Sequence, residues 1–112
     1  MNKNQPKKNA IVTDDQLEAL IEEAIVDAYD EYKQRIGFLT MIQDNISVPF
    51  KAKLNGDEVT VIEIDGTDRV IKAIIKENGK KYPVDILDLE IDPSTVKGGE
   101  WIMAYRKWEG GN

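Results

Sequence analysis

The segment SVPFKAKLNGDEVTVIEIDGTDRVIKAIIKENGKKYPVDIL, residues 47–87, decides the fold class of this chain. Short runs rich in β-branched residues alternate in it with Asn55-Gly56, Asp65-Gly66 and Asn78-Gly79, and such pairs are typical of hairpin turns. The pattern predicts four antiparallel strands, at residues 47–54, 58–65, 69–77 and 81–87. Connections this short favour a meander that curls into a small SH3-like barrel, with an open four-stranded sheet as the alternative.

A helical pattern precedes these strands. Thr13 followed by Gln16 forms a capping box, and apolar residues then recur at helical spacing as far as Ile36. The pattern predicts one long amphipathic helix from about residue 14 to 35, which Gly37 is suited to end. A further helical segment is expected to stop near Asp44-Asn45, with Asn45 as a left-handed cap.

The segment after the strands carries three large aromatic residues. Trp101, Tyr105 and Trp108 are spaced by four and three positions, so their rings share one helical face. We therefore expect a short C-terminal helix that packs on the core. The whole pattern predicts one α+β domain over residues 13–112, in which a long N-terminal helix packs on a four- to five-stranded antiparallel SH3-like barrel. Residues 1–12 are polar and aperiodic, and they are expected to form a mobile tail.

Composition excludes several classes of protein. A length of 112 residues fits a single domain, and 41% hydrophobic residues are enough for a packed core. The chain has no cysteine and no histidine, which removes thiolate sites, thiol nucleophiles, the commonest general base and the commonest zinc ligand. No apolar run approaches the roughly 18 residues that span a bilayer, and the start lacks the apolar stretch of a signal peptide. We expect a cytoplasmic protein that does not bind membranes.

The charge balance indicates which ligands the chain attracts. Fifteen basic and 21 acidic residues give a net charge of −6. This field repels phosphate backbones, so nucleic acid is not an expected ligand. Hard cations, or a basic protein or peptide, are the expected partners.

Five acidic residues are the candidate metal ligands. Glu23, Asp27 and Glu31 recur every four residues, a spacing at which like charges are destabilising unless a cation neutralises them. Asp30 is a further candidate beside this stripe, and Glu22 lies there too without being one of the five. Without a bound cation, the stripe is simply a solvated helix face. Asp44 lies near a helix C-terminus, where a carboxylate opposes the helix dipole and a divalent ion would relieve that clash. Calcium suits such oxygen ligands, whereas the alternative role of Asp44 is to cap the turn at Asn45.

The remaining acidic clusters do not form a recognisable site. Residues 65–68 fit hairpin chemistry, and neither they nor the acidic residues of 85–92 match the ligand spacing of an EF-hand. Paired carboxylates serve glycosidases, but a domain this small offers little depth for a sugar cleft. We predict a binding protein rather than an enzyme.

Several short motifs follow one another in a characteristic order: Asp27-Ala28-Tyr29-Asp30, Gly37-Phe38, Asp44-Asn45, Pro49-Phe50-Lys51-Ala52, Gly56-Asp57-Glu58-Val59, Tyr82-Pro83-Val84, Leu87, Leu89-Glu90 and a closing aromatic segment. This order resembles a bacterial calcium-binding protein family known from filamentous cyanobacteria. The resemblance extends from about residue 24 to 108, and it implies a small β-barrel with flanking helices and calcium held by surface carboxylates. It also implies that Asp44 is a ligand. This chain departs from the family's pattern in two places. Gln43 stands where the family often has glutamate, and the closing segment from Glu100-Trp101 to Trp108 is longer and less aromatic than the family's usual ending.

Two hypotheses follow from the sequence. In the first, the chain is a calcium buffer or sensor in which Asp44 joins carboxylates of the helix or of neighbouring loops in one acidic patch. In the second, an SH3-like interaction module binds a protein or peptide through its groove and exposed aromatic residues, without a metal. The predicted metal ligands are Asp44, Asp27, Asp30, Glu31 and Glu23.

Overall fold

The computed structural model describes residues 12–110, which form three α-helices and one antiparallel sheet. Residues 1–11 of the predicted tail lie outside the described range, whereas Val12 packs against the core. The predicted α+β class is confirmed. In chain order the elements are α1 (Asp14–Ala24), α2 (Glu31–Asn45), β1 (Phe50–Leu54), β2 (Asp57–Gly66), β3 (Ile71–Glu77), β4 (Lys80–Asp85), a short 3₁₀ helix (Ile86–Asp88) and α3 (Gly99–Gly110).

Two of the three predicted hairpin turns are confirmed. Asn55-Gly56 and Asn78-Gly79 connect their strands, and all four residues have positive φ, which type I′ turns require. The third turn lies further along, because β2 continues through Gly66 and the Thr67 amide closes the turn on the Val70 carbonyl at 2.9 Å. A Cβ on Gly66 would lie 2.5 Å from that carbonyl oxygen, so glycine is needed here for close approach.

The sheet is open, so the predicted barrel is wrong. The strand order is β1-β2-β3-β4, and no pairing joins β1 to β4 in the described part of the chain. Closure is unnecessary because the buried residues of β1, β2 and β3 lie on one face, which the helices cover. The outer edge of β1 is partly protected, since Lys53 and Glu90 exchange backbone hydrogen bonds of 3.0 and 2.8 Å.

A β-bulge in β2 keeps the apolar side chains of that strand on the covered face. Val59 and Val61 are buried two positions apart, but the next buried residue is Ile64, three positions later. The pairing register shifts between Val61 and Glu63. Without this extra residue, the two-residue alternation would turn Ile64 towards solvent.

The predicted long N-terminal helix is also wrong, because the chain forms two helices with a turn between them. Helix α1 ends at Ala24, and Asp27 then takes a left-handed conformation with φ of 61°. Asp30 begins α2 as its N-cap, since its Oδ1 accepts a 2.8 Å hydrogen bond from the Lys33 amide. Aspartate is favoured in both roles, and these local bonds compete with continuation of the helix.

Gly37 lies inside α2 and does not end a helix. A Cβ at this position would lie 2.0 Å from the Ala24 carbonyl oxygen, so glycine allows the backbones of α1 and α2 to approach closely. The predicted left-handed cap at Asn45 is wrong as well. Asn45 is the last helical residue, and its side chain instead donates a 2.8 Å hydrogen bond to the Met41 carbonyl.

The predicted docking of the C-terminal helix is confirmed. Trp101 and Tyr105 of α3 are buried, and Trp108 packs on Phe38 of α2 with ring centroids 5.3 Å apart. Helix α3 also packs against α1 and α2, so the three helices form one layer, which contacts the sheet through α2 and β2. No helix within residues 12–110 is long and apolar enough to cross a membrane.

Candidate functional site

Four of the five predicted ligands lie around the turn between α1 and α2. Glu23 is in the last turn of α1, Asp27 is in the connecting turn, and Asp30 and Glu31 begin α2. The regular four-residue stripe expected on a single helix is therefore absent, because the helix is interrupted inside it. All four residues nevertheless lie in or next to the same turn.

Two of these four carboxylates already bind groups of the protein. Asp30 uses Oδ1 to cap α2, and Glu31 places Oε2 3.4 Å from the Arg35 guanidinium. Each keeps a second oxygen without a protein partner in the described residues. Glu23 and Asp27 make no side-chain hydrogen bond or ion pair with residues 12–110, and both are exposed. Glu23 and Asp27 are therefore the carboxylates of this turn that are available to a cation.

Asp44 lies at the opposite end of α2, exposed in the last turn of the helix as the sequence predicts. Because a helix rises 1.5 Å per residue, Asp44 is about 20 Å along the axis from Glu31. Calcium ligands lie about 2.3–2.6 Å from the ion, so Asp44 cannot share an ion with the carboxylates at the other end. The expectation that Asp44 and the helix carboxylates form one acidic patch is wrong.

Neither end of α2 carries a complete carboxylate cage. Within residues 12–110, no three acidic side chains are grouped closely enough to hold one metal ion. Calcium also binds backbone carbonyl oxygens and water. Exposed carboxylates at a turn or a helix end can therefore supply some of its ligands, but they do not supply a complete set. The assignment of individual ligands stays a prediction.

Two acidic residues of the later loops, Asp85 and Asp92, serve local turns. Asp85 accepts from the Leu87 amide at 2.9 Å, and Asp92 accepts from both the amide and the hydroxyl of Ser94. These bonds to the Ser94 hydroxyl and amide hold the pKa of Asp92 below its usual range. The two carboxylates stabilise local backbone.

A buried arginine is the polar feature that the sequence analysis missed. Arg35 is 5% exposed, and its guanidinium donates to Glu109 at 2.9 and 3.2 Å, to the Tyr105 hydroxyl at 3.3 Å and to the Asp68 carbonyl at 3.0 Å. It also lies over the Trp108 ring, 5.1 Å from the ring centroid. Arg35 lies three residues before Phe38, so the sequence places a charge on the apolar face of α2. This unusual position was the signal from which a buried arginine could have been predicted.

Tyr105 completes this network. It donates a 2.9 Å hydrogen bond to Glu109, and burial, with a contribution from that bond, raises its pKa to about 12. Because an unfolded tyrosine titrates near 10, the neutral phenol stabilises the fold fully below about pH 10. This contribution is lost as the pH rises from about 10 through about 12.

Removing this phenol is expected to reduce the sensitivity of the fold to alkali. Between about pH 10 and 12 the free energy of unfolding should fall more steeply in the parent than in Tyr105→Phe. The other ionisable groups are the same in both proteins and cancel in the comparison. Urea unfolding followed by tryptophan fluorescence at several pH values measures it, and parallel curves for the two proteins would contradict this role of Tyr105.

The comparisons with known proteins agree with this arrangement of helices and sheet. Residues 18–109 match the sequence model of the CcbP family, which is described as calcium binding. The chain belongs to this calcium-binding family, as the resemblance noted from the sequence predicted. No curated protein matches the chain significantly.

Two solved structures share the fold. The crystal structure of CcbP from Anabaena has a TM-score of 0.70 and 23% identity, over 89% of this chain and 94% of that chain. A calcium binding protein in its calcium-binding form has a TM-score of 0.70 and 24% identity, over 88% of this chain and 92% of that chain. At these identities the two structures establish the fold and do not identify ligands in this chain.

Proposed function

We propose that this chain binds calcium as its function, as a buffer or sensor rather than as an enzyme. Membership of the calcium-binding family over residues 18–109 is the observation that carries the proposal. The net charge of −6 and the absence of cysteine and histidine support a hard cation over a transition metal. The polar network at Arg35 is filled by its own partners, so it offers no free nucleophile or base.

We further propose that calcium is held at one or both ends of α2, each end binding its own ion. At the first end, one or two of the carboxylates would bind the ion, drawn from the free groups of Glu23 and Asp27 and from the second oxygens of Asp30 and Glu31. At the other end, Asp44 would supply the carboxylate. Backbone carbonyls and water are expected to complete the coordination, because calcium takes six to eight oxygen ligands in loose geometry.

Single amide substitutions at the two ends are expected to separate these ligand sets. Asp27→Asn and Asp44→Asn keep size and turn chemistry but remove one charge, and each ligand substitution should weaken calcium binding at its own end about tenfold, or about 1.4 kcal/mol. Calorimetric titration of the metal-stripped protein with calcium, and then with magnesium, measures the affinities.

Asp57→Asn is the matched control, because it removes one exposed charge at the start of β2, outside the proposed ligands. It reports the loss of affinity that comes from net charge alone. If either ligand variant titrates like Asp57→Asn, that end of α2 does not bind the ion. A parent protein that releases no binding heat with millimolar calcium would contradict the proposed function itself.

A further inference from the structure

One side chain connects the turn between α1 and α2 to the C-terminal helix. Gln34, in the first turn of α2, donates from Nε2 to the Ala28 carbonyl at 3.1 Å, and its Oε1 accepts from Trp108 Nε1 at 3.0 Å. Only the nitrogen of the carboxamide donates and only its oxygen accepts, so the two bonds fix its orientation. Gln34 therefore links a backbone atom of the turn directly to an aromatic ring of α3.

Ala28 lies between two of the candidate calcium ligands. Asp27 precedes it in a left-handed conformation, and Asp30 follows two residues later as the N-cap of α2. The Ala28 amide also donates to the Ile25 carbonyl at 2.9 Å, so both polar groups of this peptide backbone are bound. The bond from Gln34 thus restricts the stretch of backbone that orients both aspartates.

Arg35, the next residue, provides a second connection between the same two places. Its guanidinium lies 3.4 Å from Glu31, another candidate ligand, and 2.9 Å from Glu109 at the end of α3. The guanidinium also lies over the Trp108 ring, 5.1 Å from the ring centroid. The ring that donates to Gln34 therefore also packs on the arginine that holds Glu31.

From these contacts we infer that Gln34 is a positioning residue for the calcium ligands of this turn, and that it couples calcium binding there to the docking of α3. The inference rests on the proposed function. Ligands already held in one conformation lose less entropy when they bind, so the docked helix strengthens calcium binding. Because linkage is reciprocal, calcium at the turn stabilises the docked Trp108 by the same factor.

This coupling favours a sensor over a buffer. A buffer needs only affinity for the ion, whereas a sensor needs the bound ion to change another part of the molecule. Here that part is the end of α3, which the chain reaches about 80 residues after the turn.

The first test follows the indole N–H resonances of the ¹⁵N-labelled chain, stripped of metal, during titration with calcium chloride. The chain has two tryptophans, and Trp108→Phe, which keeps an aromatic ring without an N–H group, identifies the Trp108 signal. That signal is expected to shift saturably and to give a Kd found in the calorimetric titration. Trp101, buried in the first turn of α3, is the internal reference and should shift less.

The second test uses Gln34→Met, which keeps the size of the side chain and removes both hydrogen bonds. It should weaken calcium binding at the turn about fivefold, measured from the amide resonances of residues 25–30, and abolish the calcium-dependent shift of Trp108. Gln43→Met is the matched control, because it makes the same substitution on α2 and breaks a 2.9 Å bond to the Ile64 carbonyl. It should preserve both the affinity at the turn and the Trp108 shift.

A double variant tests whether the two side chains act through one connection. Adding Trp108→Phe to Gln34→Met should weaken calcium binding no further than Gln34→Met alone, since both substitutions break the same link. Independent, additive losses would contradict the coupling.

Calcium binding that leaves the Trp108 resonance of the parent unmoved would overturn the inference, and this result does not depend on the stability of any variant. A shift that persists in Gln34→Met would also overturn it, because the field of the ion acting through space would then explain the shift. Equal affinities of Gln34→Met and Gln43→Met at the turn would limit Gln34 to a role in folding. Absence of binding heat in the parent is a separate failure, because it removes the proposed function and the coupling together.

Discussion

Arg35→Met is expected to destabilise the fold by about 3 kcal/mol, because removing one partner of a buried ion pair leaves the other partner without compensation. Methionine keeps the packing of the aliphatic stem, so the loss comes mainly from the polar contacts. Glu109, whose side chain is 28% exposed, would lose its cation, and the Tyr105 hydroxyl and the Asp68 carbonyl would lose a donor. Urea unfolding measured by circular dichroism gives the change.

A second substitution separates charge from packing in this network. Adding Glu109→Gln to Arg35→Met removes the uncompensated carboxylate and should recover part of the lost stability, as a double-mutant cycle measures. Arg69→Met is the matched control, because Arg69 is exposed and its contact with Tyr32 is worth only about 0.5–1 kcal/mol. A loss for Arg35→Met no larger than for Arg69→Met would show that the buried network contributes little.

Gly37→Ala is expected to destabilise the protein by about 2 kcal/mol, although alanine is the better helix former. Helix propensity alone would favour alanine by about 1 kcal/mol. The new Cβ would lie 2.0 Å from the Ala24 carbonyl oxygen, and overpacking against backbone costs about 3 kcal/mol. The clash therefore exceeds the gain in propensity, and α1 must move away from α2.

Gly110→Ala is the control for this substitution. Gly110 is the last residue of α3, and no atom lies within 4 Å of its added Cβ, so alanine should be neutral or slightly stabilising there. Thermal unfolding of both variants gives the comparison. A Gly37→Ala protein at least as stable as the parent would mean that the two helices separate easily, and that their close approach adds little to stability.

The parts of the fold that the sequence predicted are those that depend on neighbouring residues. Asn-Gly pairs determine hairpins because both positions need positive φ, so the chemistry is contained in two residues. The break after Ala24 was missed because apolar periodicity continues through it, while a single left-handed residue and one side-chain cap decide the outcome. Barrel closure depends on whether β1 meets β4, a contact between distant strands that local patterns do not encode.

The candidate site illustrates the same limit. Spacing along the sequence correctly placed Asp44 at a helix end, and it placed the other four carboxylates near one another along the chain. It could not show that α2 holds these two sets about 20 Å apart. Nor could it show that Arg35 finds its main carboxylate 74 residues away, at the end of the described chain.

The arrangement of the helical layer has a consequence for synthesis on the ribosome. Helices α1 and α2 emerge before the sheet, but α3, which emerges after it, holds them through Lys107 with Glu18 at 3.5 Å and Trp108 with Gln34 at 3.0 Å. The local hairpins can pair while translation continues at about 5–20 residues per second. The apolar faces of α1 and α2 stay partly uncovered until α3 clears the exit tunnel. The nascent chain is thus open to chaperones and proteases until α3 is released.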